Sequence, residues 1–496
     1  MAALANLIIE ITDRHPYSNG CLLLFTCLYP PKITTFDAMQ ANKSTIPALV
    51  ESQRAFFKTG ATLPVEWRKE QLRKLLATVC KYEKPLFDAL WKDLRKSEPE
   101  SYLCETSIVK GEIRSALKHL ERWAKPRRVA TPITHFPASS HIVYEPLGAS
   151  LIIAPWNYPV NLLLNPLVGA ISAGCTAVLK PSPYVPTVSA VLQDMIEETF
   201  PKEYVAVVQG HREVNAELLA QRWDFIFFTG SPALGRVVAA AAAPNLTPMV
   251  LELGGKSPCI VGPDANIKLA AKRIAWGKTL NAGQTCIAPD YLLLHKDIKD
   301  AFVAEFKKAV EALHGTDVRQ SPNYVRLVTD KAYQRVKSYL KEGKILAGGA
   351  FNDAERYIEP TLLDNVALDS NVMTTEIFGP VFPVLTWQDK EEVLNFVNSR
   401  EKPLAFYYFG NVKDGRYLIA HTSSGGACIN DTIMHFANSN MPFGGVGNSG
   451  QGKYHERETF LAFSHTRSVL NTSSRIDLPF RYMPYKAIAL MKKILK

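Results

Sequence analysis

The stretch SLIIAPWNYPVNLLLNPLVGAISAGCTAVLKP, residues 150–181, decides the fold of this chain. SLIIAP and CTAVLKP are short apolar runs of strand length, and VNLLLNPLVGAISAG between them has the length of a helix that closes at Gly174. A strand, a helix and a second strand in this order predict two parallel strands joined by a right-handed crossover.

The alternation of strands and helices continues beyond this stretch. The helices PTVSAVLQDMIEETF, EVNAELLAQ and PALGRVVAAAAA alternate with the strands YVAVVQG, DFIFFTG and PMVLELGG. A second series of strands follows from Pro258: CIVG, YLLLH, VFPVLTW, LAFYYFG and GACIND. The pattern predicts an α/β protein with a doubly wound parallel-sheet domain and a second α/β domain, and their shared cleft is the natural active site.

Length, charge and cysteine content restrict the class of protein. A chain of 496 residues, 47% of them hydrophobic, is long enough for two or three domains. The formal net charge of +10 comes from scattered basic residues, so we expect no nucleic-acid surface, whereas an anionic small molecule such as a nucleotide suits the excess. The eight cysteines form no CxxC pair or Cys/His cluster, which predicts no metal site, no disulfide framework and a cytoplasmic location.

Both ends of the chain differ from its centre. Residues 1–43 are predicted to be a disordered extension, or Met39 is the natural start and the residues before it do not belong to the native protein. The C-terminal segment 481–496, which ends in KAIALMKKILK, is a basic amphipathic tail able to lie on a membrane surface. No stretch reaches the ~20 apolar residues of a membrane-spanning helix, so we expect no transmembrane segment.

Polar residues and glycines follow the predicted strands at their carboxyl ends, where a doubly wound sheet binds its ligands. Asn157 follows the first strand, Ser231 caps the helix after DFIFFTG, and Glu252 ends PMVLELGG. Ser231 at a helix N-terminus predicts an anion site, the Asn157 amide is a candidate oxyanion donor and Glu252 is a candidate general base. Each has a structural alternative: a βα turn for Ser231, turn chemistry for Asn157, and a helix cap or a lysine partner for Glu252.

Cys286, in NAGQTCIAP (residues 281–289), has no histidine or second cysteine near it in the sequence. A buried cysteine taken alone is more often structural than reactive. A nucleophilic thiol needs a base or a positive environment, and Glu252 could be that base through space, directly or through a water. The combination of strand-end residues therefore favours Cys286 as a nucleophile.

Several motifs in a fixed order carry a family resemblance. PWNYP, KPS, FTGSPALG, LELGGK, GQTC, EIFGP (376–380) and PFGG (442–445) resemble the aldehyde dehydrogenase superfamily over residues 44–470. The lengths and the RYMPY ending resemble the class 3 and fatty aldehyde dehydrogenase branch, whose members are usually dimers. The resemblance implies an aldehyde dehydrogenase-like fold with a cofactor domain, a catalytic domain and a small β oligomerisation ribbon.

The resemblance also implies domain limits and residue roles. The implied ranges are 44–128 with 150–251 for the NAD(P)-binding domain, 252–453 for the catalytic domain, and 129–149 with 454–480 for bridging and homodimer contacts. Cys286 would attack the aldehyde, Asn157 would hold the oxyanion and Glu252 would activate the hydrolytic water. The implied cofactor-binding residues are Trp156, Lys180, Ser182, Thr229, Gly230, Ser231, Gly235, Leu253, Glu376 and Phe378.

Two positions depart from the family pattern. Many NAD-preferring members carry Glu three residues after the lysine of KPS, and this chain has Pro183 there, so both NAD and NADP remain open as cofactors. The glycine usual after YH in this branch is Glu456. Tyr158, Ile287 and Ile377 predict a hydrophobic entrance, which favours medium or long aliphatic or aromatic aldehydes.

Three other functions compete with an NAD(P)-dependent aldehyde dehydrogenase. A cofactor-free thiol esterase would need Cys286, Glu252 and Asn157 but no FTGSPALG, Lys180 or EIFGP. A CoA-acylating enzyme would not need Glu252 to activate water. A scaffold of the same fold predicts the loss of at least one chemical residue, and this chain has lost none.

Overall fold

A computed structural model of the chain describes residues 45–478, 482–485, 488, 489 and 492. The predicted extension 1–43 and most of the tail 481–496 lie outside the described residues. The α-helices of the described residues, in chain order, are α1 (Ile46–Lys58), α2 (Val65–Lys81), α3 (Glu83–Leu94), α4 (Glu98–Ser101), α5 (Ser107–Ala124), α6 (Asn161–Ala173), α7 (Pro186–Thr199), α8 (Arg212–Leu219), α9 (Pro232–Ala242), α10 (Ile267–Thr279), α11 (Lys299–His314), α12 (Asp330–Tyr339), α13 (Asn371–Thr374), α14 (Lys390–Asn398), α15 (Val412–Ala420), α16 (Met434–Ala437) and α17 (Arg457–Ala462).

The strands form two large sheets and two small ones. In chain order they are β1 (Arg127–Val129), β2 (Ser139–Pro146), β3 (Ala149–Ile153), β4 (Thr176–Lys180), β5 (Val205–Val207), β6 (Phe225–Thr229), β7 (Met249–Glu252), β8 (Pro258–Val261), β9 (Tyr291–His295), β10 (Lys344–Ala347), β11 (Phe351–Asn352), β12 (Tyr357–Ile358), β13 (Thr361–Asp364), β14 (Val381–Trp387), β15 (Ala405–Phe409), β16 (Gly426–Ile429), β17 (Gly450–Gln451) and β18 (Ser464–Asn471).

The first large sheet has the strand order β17-β7-β6-β3-β4-β5, in which β3 to β7 are parallel and β17 is antiparallel to β7. Successive side chains of a strand point to opposite faces. Along β3, Leu151 and Ile153 pack in one apolar core and Ile152 packs in the other. Both faces are therefore covered, which confirms the predicted doubly wound α/β class.

Local sequence explains where the helices around the site begin and end. The hydroxyl of Ser231 accepts a hydrogen bond from the backbone N–H of Leu234, and Pro232 is the first residue of α9. Helix α6 ends at Gly174, whose φ of +95° is left-handed and accessible to glycine at low cost. These boundaries place the N-terminus of α9 directly after β6.

The second large sheet has the order β10-β13-β14-β9-β8-β15-β16, and every pairing except β10 with β13 is parallel. A three-stranded antiparallel sheet of order β1-β2-β18 joins two distant parts of the chain. Glu252 ends β7, and it pairs with Gly450 of the neighbouring antiparallel strand β17. The first sheet therefore takes residues from both ends of the range 252–453, which the sequence assigned to the second domain.

Candidate active site

A cavity of about 970 Å³ lies at the carboxyl ends of β3, β6 and β7 and reaches the loops that precede β9, β14 and β15 of the second large sheet. It brings together nine of the residues singled out in the sequence, which are Trp156, Asn157, Thr229, Gly230, Ser231, Glu252, Cys286, Glu376 and Phe378. Strand ends that are distant in sequence meet here because parallel strands present their carboxyl ends at the same edge.

Cys286 lies in the loop after a 3₁₀ turn, Leu280–Gly283, that follows α10. Burial raises the pKa of its thiol, and the carboxyl groups of Glu376 and Glu252 raise it further. The backbone N–H groups of Cys286 and Ile287 oppose this rise. The thiol is therefore predominantly protonated, so its use as a nucleophile requires proton removal by a neighbouring base.

Glu252 is the last residue of β7, and only 3% of its surface is exposed. Neither carboxyl oxygen has a hydrogen-bond partner among the described residues. Burial alone raises the pKa of this carboxyl well above its usual value. The structure thus shows neither of the structural alternatives, a helix cap or a lysine partner, and leaves a carboxyl group that faces the same cavity as Cys286.

Asn157 follows β3 and is held by three hydrogen bonds. Its amide nitrogen Nδ2 donates to the carbonyl of Gln284 at 3.0 Å. The backbone carbonyl of Asn157 accepts hydrogen bonds from Lys96 Nζ at 2.9 Å and from Asn281 Nδ2 at 3.0 Å. The side chain lines the cavity, and the bond to Gln284 uses one of its two N–H donors, so the second remains for a ligand.

The N-terminus of α9 opens into the cavity beside Thr229 and Gly230. The hydroxyl of Thr229 is buried and has no partner in the described part of the chain. A Cβ at Gly230 would lie 2.5 Å from Cζ of Phe228, so a side chain cannot fit there without movement. The first turn of α9, its helix dipole and an unpaired hydroxyl together suit an anionic group such as a pyrophosphate.

Glu376 and Phe378 reach the cavity from the loop that precedes β14. Burial raises the pKa of Glu376 to about 8, and the neighbouring Asp290 raises it as well. The ring of Phe378 meets that of Trp156 edge to face, with centroids 5.4 Å apart. Arg335 donates to the backbone carbonyls of Glu376 and Ile377, each at 3.0 Å, and these two hydrogen bonds hold the loop in place.

Seven predicted site residues do not line this cavity in the described structure, namely Tyr158, Lys180, Ser182, Gly235, Leu253, Ile287 and Ile377. Lys180 ends β4, donates from Nζ to the carbonyl of Pro181 at 2.8 Å, and has its pKa lowered to about 8 by burial. A Cβ at Gly235 would lie 2.7 Å from Cδ2 of Leu253. Gly235 and Leu253 therefore pack α9 against the end of β7 beside the cavity.

Sequence reasoning missed several charged residues around the cavity. Arg335, Lys256 and Arg236 line it, and Lys96 contacts Asn157 from outside it. Lys256 follows directly after the two glycines of LELGGK, so its position beside a strand end was a usable signal. Lys96 lies in a helical region far from any strand, and the sequence alone carries no comparable signal for it.

Comparison with known proteins identifies the family. The model of the aldehyde dehydrogenase family matches residues 30–469. The 4,4'-diaponeurosporen-aldehyde dehydrogenase of Staphylococcus aureus is 45% identical over 436 residues, which cover 87% of this chain and 95% of that protein. The mouse dimeric NADP-preferring aldehyde dehydrogenase is 43% identical over 433 residues, which cover 87% and 96% of the two chains.

Solved structures agree with these sequence relatives. The substrate-bound state of Staphylococcus aureus AldH matches with a TM-score of 0.89 and 44% identity, over 91% of this chain and 99% of that one. An indole-3-acetaldehyde dehydrogenase in complex with NAD⁺ matches with a TM-score of 0.79 and 26% identity, over 87% and 89% of the two chains. The chain belongs to the aldehyde dehydrogenase family and is an oxidoreductase that acts on aldehydes. Human aldehyde dehydrogenase family 3 member B1, 42% identical over 434 residues that cover 87% of this chain and 93% of that protein, supports the predicted class 3 branch.

Proposed function

We propose that this chain uses NAD or NADP to oxidise medium or long aliphatic, or aromatic, aldehydes to carboxylic acids. Cys286 is the nucleophile, Glu252 the general base and Asn157 the oxyanion donor. The observation that carries the proposal is that one cavity holds all three side chains together with the N-terminus of α9. Leu162, which also lines the cavity, presents an apolar side chain that suits a hydrophobic aldehyde.

The first step joins Cys286 to the aldehyde. Glu252 removes the thiol proton, because a buried carboxylate without a partner regains stability when it is protonated. The sulfur then bonds to the carbonyl carbon, and the carbonyl oxygen becomes an alkoxide in a thiohemiacetal. Nδ2 of Asn157 and the backbone N–H of Cys286 donate to that oxygen. One such donor is worth about 3 kcal/mol of transition-state stabilisation.

The residues present fit a nicotinamide dinucleotide. The N-terminus of α9 and the unpaired hydroxyl of Thr229 suit the pyrophosphate, and Glu376 suits the hydroxyls of a ribose. Trp156 and Phe378 present apolar rings for a nicotinamide. When bound, this cofactor supplies the acceptor for the hydride that leaves the alkoxide carbon.

Release of the product returns the site to its starting state. The thioester that remains on Cys286 is hydrolysed once Glu252 has released the thiol proton to solvent and can take a proton from the attacking water. The hydroxide adds to the thioester carbon, the carbon–sulfur bond breaks, and the acid leaves as Glu252 returns its proton to the sulfur. Asn157 holds the oxyanion of this second tetrahedral intermediate in the same position.

Two features support use of both cofactors. Pro183 places no carboxylate where a 2′-phosphate would be repelled, and Lys180 lies three residues before it. The mouse relative is named NADP-preferring, and the indole-3-acetaldehyde dehydrogenase was solved with NAD⁺. We therefore propose dual use, with Lys180 and Ser182 on the adenosine side of the cofactor.

We propose that the protein is a homodimer. Strand β18 pairs only with β2 within the described residues, so its second edge is open to a partner strand. Leu470 on this strand and Leu234 and Val237 on α9 are exposed apolar side chains. The mouse relative is named dimeric. Light scattering of wild type and Leu470→Glu tests this. Wild type should have the mass of two chains, and Leu470→Glu should have a lower mass because a charge is placed in the contact.

A cytoplasmic location with peripheral membrane contact through the segment 481–496 is also part of the proposal. Tyr482, Met483, Tyr485 and Ile488 are exposed apolar side chains in its described part. None of the helices in the described ranges has the length and apolar character needed to span a bilayer. Flotation with anionic vesicles, comparing the full chain with one that ends at residue 478, tests the contact.

The activity test follows reduced-nicotinamide absorbance with aldehydes from acetaldehyde to decanal, with NAD and NADP separately. We expect higher kcat/KM for the longer aldehydes and a complete loss in Cys286→Ala. Cys428→Ala, also a partly buried cysteine but outside the cavity, is the control and should remain active. Ester hydrolysis without any aldehyde oxidation would favour the thiol esterase, and cofactor binding without either activity would favour a scaffold.

A further inference from the structure

A fully buried ion pair lies behind the cavity. Nζ of Lys96 and Oε1 of Glu105 are 2.8 Å apart, and both side chains are 0% exposed. Lys96 lies between α3 and α4, and Glu105 lies in a π-helical turn, Tyr102–Thr106, between α4 and α5. Removal of two charges from water costs several kcal/mol per ion, and π turns are frequent at functional sites. Because burial of the two charges is costly, stability alone does not explain this pair, and we consider a role in the active site.

The pair holds both ends of the segment 157–161, which leads into α6. Lys96 Nζ donates to the carbonyl of Asn157 at 2.9 Å. Oε2 of Glu105 accepts from the backbone N–H of Val160 at 3.1 Å and from that of Asn161 at 2.9 Å. A single salt bridge therefore fixes the backbone on either side of Tyr158.

The loop of Cys286 is attached to the same point. Asn281 Nδ2 donates to the carbonyl of Asn157 at 3.0 Å and to that of Gln284 at 3.1 Å. The carbonyl of Gln284 also accepts from Nδ2 of Asn157. The backbone carbonyl of Asn157 thus accepts hydrogen bonds from both Lys96 and Asn281 of the cysteine loop, which links the position of Lys96 to the distance between the Asn157 amide and Cys286.

We infer that Lys96 and Glu105 are positioning residues that set the distance between the Asn157 amide and Cys286. The inference rests on the proposed role of Asn157 as the oxyanion donor. Neither side chain lines the cavity, so neither touches a substrate in it. A pair of charges tied to three backbone groups holds an angle and a distance more rigidly than apolar packing does.

The test variant is Lys96→Met with Glu105→Gln, which removes the donor to Asn157 together with both charges of the ion pair. The control is Lys110→Met with Glu83→Gln, since that pair, 2.6 Å apart on α5 and α3, does not contact the segment 157–161. We expect kcat for both aldehyde oxidation and p-nitrophenyl acetate hydrolysis to fall by about 10- to 100-fold in the test variant. The control should match wild type, and the Kd for NADH should not change in either.

Combination with Asn157→Ala separates positioning from general damage. If the pair acts through Asn157, its replacement should lower kcat less than twofold in the Asn157→Ala background. A further 10-fold fall there, or an equal loss in the control, would overturn the inference. If the test variant had wild-type kcat while Asn157→Ala was impaired, the inference about Lys96 and Glu105 would be overturned and the proposed oxyanion role of Asn157 would stand. A fully active Asn157→Ala would instead refute the proposed oxyanion role.

A milder variant covers failure of the double variant to fold. Glu105→Gln keeps an oxygen acceptor for the N–H groups of Val160 and Asn161 and removes the charge that holds Lys96, while the carboxyl of Glu100 remains close to the Lys96 ammonium. We expect a several-fold fall in kcat with unchanged NADH affinity and no further fall in Asn157→Ala. Wild-type kcat in this folded variant would count against the inference.

Discussion

The carboxyl of Glu376 lies directly against the backbone of Gly254, and this contact predicts the effect of one added methyl group. A Cβ at Gly254 would lie 2.0 Å from Oε2 and 2.5 Å from Cδ of Glu376. An ordinary contact begins near 3.4 Å, so Oε2 has to move by about 1.4 Å in Gly254→Ala. The carboxyl is the far end of a flexible side chain, so we expect it to move while the fold remains intact.

Displacement of Glu376 should affect only the reaction that uses the cofactor. A misplacement of about 1 Å costs about 100-fold in rate, so kcat/KM for NAD should fall by about that factor in Gly254→Ala. Ester hydrolysis at Cys286 without cofactor should stay near wild type. Steady-state kinetics of both reactions on one preparation, with Kd for NADH from fluorescence, measures the separation.

Gly255→Ala is the matched control. A Cβ there would meet its nearest atom, Cα of Pro403, at 3.4 Å, and its backbone N–H toward Glu376 is retained. We expect this variant to keep both activities. Equal kcat/KM for NAD in Gly254→Ala and wild type would refute the reasoning, as would a parallel loss of ester hydrolysis.

Three further predictions concern the backbone, the cofactor and the Glu376 loop. Glu456 has φ +45° and ψ −114°, a backbone conformation that is strained for any residue with a side chain. Glu456→Gly should therefore raise the free energy of unfolding, measured by urea titration, by about 1 kcal/mol. A decrease would contradict the presence of strain at this position. The pKa of Lys180 is about 8, so the amine loses its charge as pH rises from 7 to 9, and the Kd for NADP should rise about 10-fold relative to that for NAD. Lys180→Met should remove this pH dependence. Arg335→Met deletes two hydrogen bonds to the loop of Glu376 and should raise KM for NAD with little change in ester hydrolysis, whereas equal losses in both would indicate general damage.

The sequence predicts the parts of the site that lie at strand ends. Alternation of apolar runs with helices places Asn157, Thr229 and Glu252 at one edge of the first sheet, and the structure brings them to one cavity. Cys286 belongs to the part of the chain that forms the second sheet, and its pairing with Glu252 follows from the combination of strand-end residues and then from the family motifs, not from periodicity. Strand ends are local features of sequence, whereas docking of two sheets is not.

Contacts between distant segments could not be predicted. Lys96 meets Asn157 across 61 positions, and in a helical pattern such a lysine is indistinguishable from a solvent-exposed charge. The pairing of Gly450 with Glu252 is equally non-local, since two residues form no strand pattern. The motifs assign Leu253 and Gly235 to the cofactor, but the close contact between the two already accounts for the glycine.

The central claim is that Cys286 carries the acyl group and Glu252 releases it. Intact-mass measurement of Glu252→Gln after mixing with octanal and NAD, followed by peptide mapping, tests it directly. We predict a mass increase of one octanoyl group less the thiol hydrogen, located on Cys286. Hydroxide from solvent can still ionise the thiol slowly in this variant, whereas hydrolysis of the thioester lacks the positioned base that activates water. Reduced nicotinamide formed with no acylated protein, or an acyl group on another cysteine, would contradict the account.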